Sequence, residues 1–396
     1  MNDNDLVSAR PKFRLADNVR LVAGALEWAI YRLDDHDIIR ITPDEGRRIQ
    51  NGDLNGSSIR QLIDAGIFYA NGEPTSSTTQ ASADGEYDSI PFRSAWLELT
   101  DVCNLSCSHC YMNANHIRPK SKTNWWKVLK YLATHHCQQA IFIGGEPLCN
   151  SEFIKYVKFS KRIAPQMRVC VVTNGTLWNE SLLNQMKKLD VFMKFSLLGS
   201  SPERHDRITG VSGSFDKTVE NIDLAIRLGI RFEIATTLIP SSSETAESIE
   251  HFIAARFGKV KHSTARVRPQ GRQLTCKNSS GTCSEEQLAV HISRKFFNLA
   301  NRLHPCLYGK AAFSCSGIVH PCIMSRFEKL DVATVLKQKP GNVFRRWWTL
   351  TKDKINGCCS CALRYACFDC RGFATSMTEP PSNCRLSAKL TVPNGL

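Results

Sequence analysis

Six alternations of strand and helix between residues 94 and 270 constrain this chain more than any other feature. SAWLELT, QAIFIGG, RVCVVTNG, VFMKFSLLG, RFEIATTLI and STARVRP read as strands. The segments between them have helical spacing. In TNWWKVLKYLATHH, the residues Trp125, Val128, Leu129 and Leu132 recur at i, i+3, i+4 and i+7. In DKTVENIDLAIRLGI, Val219, Ile222 and Ile226 do the same before Gly229. Strands joined by helices run parallel, so an α/β fold follows, its sheet either open or curled into a partial barrel. Such folds carry their chemistry at the C-terminal ends of the strands.

The rest of the chain divides around this region. At roughly 150 residues per domain, a chain of 396 residues holds about two or three. Residues 12–70 form a small first unit: FRLADNVRLV and WAIYRLDDHDIIRI alternate as half-buried strands, PDEGRRIQNG is a short helix with Pro43 near its start, and SSIRQLIDAG is a helix capped by Ser58 and stopped at Gly66. This order suggests a winged-helix-like module. Residues 71–91, rich in Ser, Thr, Gly and Pro, are a linker. The core spans 92–275, a long helix starts at Ser284, and a cysteine-rich extension covers 300–390. No apolar run approaches the roughly 20 residues of a membrane span, and the first residues lack a secretory signal. A cytoplasmic protein with no membrane partner is expected. Lys and Arg total 51 against 37 acids, a net +14. The excess is dispersed, which suits a solvated basic surface better than a nucleic-acid partner.

The cysteines carry the chemistry. Seventeen in one chain is a high count, and in a reducing compartment clustered thiols point to metal or catalysis. Cys103, Cys107 and Cys110 lie just after the first strand of the alternating region, where a parallel fold places its site. Three thiolates at this spacing can wrap one metal centre. A tetrahedral zinc asks for a fourth ligand, whereas a four-iron cluster on three cysteines keeps one iron open. IFIGGEPLC puts Gly144, Gly145, Glu146 and Pro147 at the end of the second strand. Paired glycines let backbone approach a ligand closely, and a carboxylate can accept from an ammonium group.

These motifs resemble the radical S-adenosylmethionine (SAM) enzymes, which carry a CxxxCxxC loop after their first strand, often with an aromatic before the third cysteine. Here that place is His109. The resemblance implies a partial (β/α)6 TIM-like barrel. It implies a [4Fe-4S] cluster on Cys103, Cys107 and Cys110 whose open iron is chelated by S-adenosyl-L-methionine. Reductive cleavage then yields a 5′-deoxyadenosyl radical that abstracts hydrogen from an unactivated C–H bond. It also implies cofactor contacts at Gly144, Gly145, Glu146 and Pro147, and at the ends of the next two strands, Asn174 and Ser196. LLGSSPERHDRITGVSGSF is similar to the matching family segment, and Arg207 within it is left without a role.

The tail resembles the SPASM extension, which binds two auxiliary iron–sulfur clusters. Ten residues separate Cys306 from Gly317, and four more precede Cys322. Then come Cys358, Cys361, Cys367, Cys370 and Cys384. The usual pattern has three residues where Phe368 and Asp369 make two. By this resemblance one cluster uses Cys306, Cys315, Cys322 and Cys370, and the other uses Cys358, Cys361, Cys367 and Cys384. Cys170 is expected as buried packing, and Cys276 and Cys283 carry no role. The first unit is similar to the leader-recognition elements of maturases of ribosomally made peptides, which add a leader as a strand at a sheet edge.

Together these resemblances imply a peptide maturase of the radical SAM class. The precursor peptide's leader is then expected to dock on residues 12–70, an intramolecular C–C or C–S cross-link to form, and a flavodoxin or ferredoxin to donate electrons. Alternatives are a peptide epimerase, with Cys149 or a tail cysteine as hydrogen donor, and a sulfatase-maturase-like oxidase of protein residues. An alternative of another class is a zinc-stabilised winged-helix nucleic-acid binder.

Overall fold

The first unit resolves into short strands with tight turns, because its alternating runs are interrupted by Asp, Asn and Gly. The structure, a computed structural model, describes residues 13–53, 56–70, 90–116, 121–239, 242, 244–272 and 291–384. The linker expected at 71–91 lies almost wholly outside the described residues, as do Cys276, Cys283 and residues 284–290. In the first unit β1 (Phe13–Leu15) is followed by β2 (Val19–Val22), β3 (Trp28–Arg32) and β4 (Asp37–Ile41). The last three form an antiparallel sheet in the order β2-β3-β4. His36 takes a left-handed conformation in the turn before β4.

Thr42 and Glu45 form a reciprocal capping box on α1 (Pro43–Asn51), with Pro43 in its first turn. The second helix, α2 (Gly56–Asp64), starts two residues before the expected cap at Ser58. β5 (Phe68–Ala70) pairs antiparallel with β1. One face of the three-stranded sheet buries Val19 and Ile30 with Ile49, Ile67 and Phe68. The other buries Val22, Ala29, Tyr31 and Leu33 against Phe297, Ala362 and Ala366 of the C-terminal region. β3 is therefore covered on both faces, not half-buried as its alternation suggested.

The alternating region gives β6 (Ser94–Glu98), α3 (Trp125–Thr134), β7 (Gln139–Ile143), α4 (Phe153–Ile163), β8 (Arg168–Thr173), α5 (Glu180–Lys188), β9 (Phe192–Ser196), α6 (Pro202–Thr209), α7 (Ser214–Arg227), β10 (Phe232–Leu238), α8 (Ala246–Phe257) and β11 (His262–Arg266). The six strands are parallel neighbours in chain order, the arrangement of a partial TIM barrel. Leu97, Phe142, Val171, Phe195 and Ile234 are fully buried with Val128, Leu129 and Leu132 of α3 and Ile222 of α7. Each such side chain contributes about 1.5–3 kcal/mol on leaving water.

The sheet does not stop at the expected core boundary. After α9 (Arg294–Ala300), strand β12 (Lys310–Ser314) pairs parallel with β6, and β13 (Ile318–His320) and β14 (Leu330–Asp331) extend it antiparallel. The cysteine-rich region thus supplies three of this sheet's nine strands among the described residues. α9 is shorter than the helix expected from Ser284: Ser293 caps it, accepting from Phe296 N–H at 3.1 Å. Among the described residues no helix is long and apolar enough to cross a membrane.

Candidate functional site

The loop after β6 is shaped by the strand ends around it. Gly145 N–H donates to Thr100 O at 2.7 Å and Glu146 N–H to Val102 O at 2.9 Å, so the end of β7 carries the loop's first residues. A Cβ on Gly145 would stand 2.1 Å from Val102 O, which only glycine allows. From the far side, Ser106 and Ser108 donate to Thr209 O and Ile208 O at the end of α6. Arg272, just beyond β11, clamps the loop: Nη1 donates to Cys107 O at 2.7 Å and Nη2 to Ala114 O. Nothing in the sequence singled out Arg272.

This fastening places Cys103, Cys107 and Cys110 along a cavity of about 280 Å³, also lined by Gly144, Gly145, Asn174 and Ser196. Leu105 N–H points at Cys103 Sγ (3.4 Å) and Ala114 N–H at Cys110 Sγ (3.3 Å). Asn174 Nδ2 lies 3.8 Å from Cys103 Sγ. Such N–H donors stabilise thiolate and tune a cluster bound to it. Burial pushes the Cys103 and Cys107 thiols up to about 12, a bias that a bound metal reverses by deprotonating them outright. Among the described residues no three Cys, His, Asp or Glu side chains converge as a single-ion site requires. A cubane asks for something looser, one thiolate at each of three corners, and this donor set fits it.

Glu146 and Pro147 stand behind the cavity wall instead of lining it. Glu146 is fully buried and ties strand ends together: Oε1 accepts from Thr173 Oγ1 (2.8 Å), and Oε2 from Asn174 N–H (2.9 Å). Burial pushes its pKa up to about 7. A carboxyl with a raised folded-state pKa stabilises the fold at low pH, and that contribution is lost as pH rises through the folded value. Wild type is therefore expected to lose about 3 kcal/mol relative to Glu146→Gln between about pH 5 and pH 8, read from paired thermal melts. Parallel pH curves contradict this.

Two histidines also face the cavity. His205 Nδ1 accepts from Leu198 N–H at 3.2 Å, so Nε2 carries the proton, buried and without a partner among the described residues. His109 Nδ1 likewise has no partner among the described residues. Burial lowers both pKa values to about 4, so both rings are neutral. At the base of the mouth, buried Glu98 pairs with Arg326, whose guanidinium lies 5.3 Å from the Tyr111 ring centroid.

The C-terminal cysteines fall into two groups. Cys306 feels the charges of Cys322 and Cys370. Cys358, Cys361, Cys367 and Cys384 feel one another. The charges that act most on Cys315 are those of Asp101 and Glu98. The register of β12 on β6 pairs Ser314 with Glu98 and carries the next residue to the barrel mouth. Buried beside both groups are Lys352, Asp369, Arg371 and His304. Lys352 pairs with Asp369, Arg371 lies 3.4 Å from it, and His304 Nε2 lies 3.7 Å away. Two buried cations face one carboxylate, and the surplus positive charge suits an anionic iron–sulfur cluster.

A parallel α/β barrel whose first loop presents three cysteines to a glycine-lined cavity defines a class that holds a cluster and a nucleotide together. Residues 97–254 match the radical SAM superfamily, and the chain carries a radical SAM domain, whose cofactors are S-adenosyl-L-methionine and a [4Fe-4S] cluster. The chain is 27% identical over 183 residues to an AdoMet-dependent heme synthase of Methanosarcina barkeri, covering 45% of this chain and 51% of that protein. It is 28% identical over 226 residues to the sporulation killing factor maturation protein SkfB of Bacillus subtilis, covering 56% and 53%. The chain thus spans about half the length of these relatives. Its fold is similar to that of Streptococcus suis SuiB bound to its precursor peptide SuiA, with a TM-score of 0.56 at 14% identity, covering 94% of this chain and all of that one.

Proposed function

We propose that the chain is a radical SAM peptide maturase that forms an intramolecular C–C or C–S cross-link in a ribosomally made precursor. The observation that carries this reading is the antiparallel β2-β3-β4 sheet packed on the C-terminal region, with β4 bonded on one side only among the described residues. Such an edge accepts a leader as an added strand, main-chain hydrogen bonds supplying affinity. Relatives with maturase names support it.

Cys103, Cys107 and Cys110 would hold the cluster, and Gly144, Gly145, Asn174 and Ser196 the nucleotide. The bound pair supplies reductive sulfonium cleavage and hydrogen abstraction. Arg266 and Arg268 at the cavity wall give the peptide's carbonyls and carboxylates cationic partners. The two thiol groups of the C-terminal region would hold the auxiliary clusters. A flavodoxin or ferredoxin serves as electron donor. Co-expression with a short precursor encoded beside the gene, followed by mass spectrometry, tests the reading. Loss of two hydrogens per link is expected. An unchanged mass with inverted stereochemistry marks an epimerase instead. A precursor left unmodified while an internal Cys or Ser of another protein is oxidised marks a sulfatase-maturase-like enzyme.

A further inference from the structure

The turn between β2 and β3 grips the loop that carries Cys358, Cys361 and Cys367. Ala25 N–H donates to Ser360 O at 2.8 Å. Arg364 Nη1 donates to Ala23 O at 2.7 Å and to Cys361 O at 2.8 Å. The buried Tyr31 hydroxyl donates to Ala362 O at 2.7 Å, and its ring meets Phe297 edge-on at 5.4 Å. Two of the loop's carbonyls, those of Ser360 and Ala362, are therefore held from this side, and Arg364 of the loop itself links Cys361 O to Ala23 O. Gly24 allows the close approach: a Cβ there would stand 2.7 Å from Ala362 N and 2.5 Å from Glu27 O. Tyr31 is near enough to Cys361 and Cys367 to feel both thiols.

The gripped loop is short on structure of its own. Between Cys358 and Cys367 it has one 3-10 turn, Cys358–Ser360, and no strand. The direction of each thiol depends on backbone that no ladder fixes. Groups that orient metal ligands from outside the ligand set govern how tightly the metal is held. The Cys306, Cys322 and Cys370 group has no contact of this kind with the first unit among the hydrogen bonds of the described residues.

We infer that the N-terminal unit is a wall of the site formed by Cys358, Cys361, Cys367 and Cys384, with Tyr31 and Gly24 as positioning residues for its loop. This rests on the reading of those four thiols as cluster ligands. The unit is then more than a peptide-docking appendage. Tyr31 pairs directly with Ile38 of β4, so a strand added at β4 sits one strand away from the cluster loop.

The test uses full-length protein, reconstituted without oxygen, with iron release to bathophenanthroline and the spin-resonance spectrum of the reduced protein as readouts. A Cys358→Ala/Cys361→Ala protein identifies the iron and the signal that belong to this site. Tyr31→Phe keeps the ring and loses only the hydroxyl. Gly24→Ala puts a methyl into the backbone contact. Tyr69→Phe, on an exposed position of the same unit, is the control. Tyr31→Phe and Gly24→Ala are expected to release this site's iron about tenfold faster, with the other iron and the control unchanged. Release at the wild-type rate from Tyr31→Phe overturns the inference and leaves the cluster assignment standing. Full iron in the double cysteine variant overturns the assignment and the inference with it. If Gly24→Ala fails to fold, Tyr31→Phe alone decides.

Discussion

Alanine at any one of Cys103, Cys107 and Cys110 is expected to lower 5′-deoxyadenosine release by more than about a hundredfold, beyond what changes outside a ligand set usually produce. The three thiols lie along one cavity, and two of them, Cys103 and Cys110, receive backbone N–H bonds of 3.4 and 3.3 Å. Removing one leaves a corner of the cluster without a ligand, and a loop fastened at Thr209, Ile208 and Arg272 cannot shift to supply another. The fold should survive, because the loop's fastenings, backbone bonds and the Arg272 clamp on backbone carbonyls, do not use the thiols. Circular dichroism checks that, and chromatography of the nucleoside products under reductant checks the loss. Undiminished release from all three variants contradicts the site as described.

Lys352→Met should destabilise the C-terminal region by about 3–5 kcal/mol, the range for stranding one partner of a buried pair. Lys352 is 2% exposed and its partner Asp369 is 7% exposed. Burial pushes Asp369 up, but Lys352, His304 and Arg371 outweigh it and hold the carboxyl well below its usual range. Without the ammonium, that carboxylate loses its closest cation. Adding Asp369→Asn should recover much of the loss, since a buried pair replaced as a whole is often neutral. Thermal melts of the single and double variants, and iron bound at the two thiol groups, measure this. A Lys352→Met protein that melts with wild type contradicts it.

Much of the barrel is legible in the sequence because its signals are local. Trp125, Val128, Leu129 and Leu132 mark α3 by spacing alone, and all four are buried. The short apolar runs become β6 to β10 in chain order, and the more polar STARVRP segment supplies β11. β12 is another matter. Lys310–Ser314 pairs with Ser94–Glu98 from more than two hundred residues away, and no local pattern encodes such a partner. α9 begins at its Ser293 cap, and His291 and Ile292 just before it are not helical although the expected helix ran through them. At the site, the cysteine loop and the glycine pair stand out in sequence by spacing. Arg272 and His205 do not, because a guanidinium clamp and a fixed tautomer depend on which backbone atoms come near.

The strand that closes the barrel's first edge comes from the far end of the chain. β6, which leads into the Cys103 loop, is flanked by β7 on one side and β12 on the other. A protein shortened before Lys310 would expose a bare row of amides and carbonyls on the strand that carries its chemistry, an invitation to aggregate. The cysteine-rich region is therefore no detachable accessory. Swapping it between relatives, or trimming it to make a minimal enzyme, should yield soluble protein only when Lys310–Ser314 or an equivalent strand travels with the core.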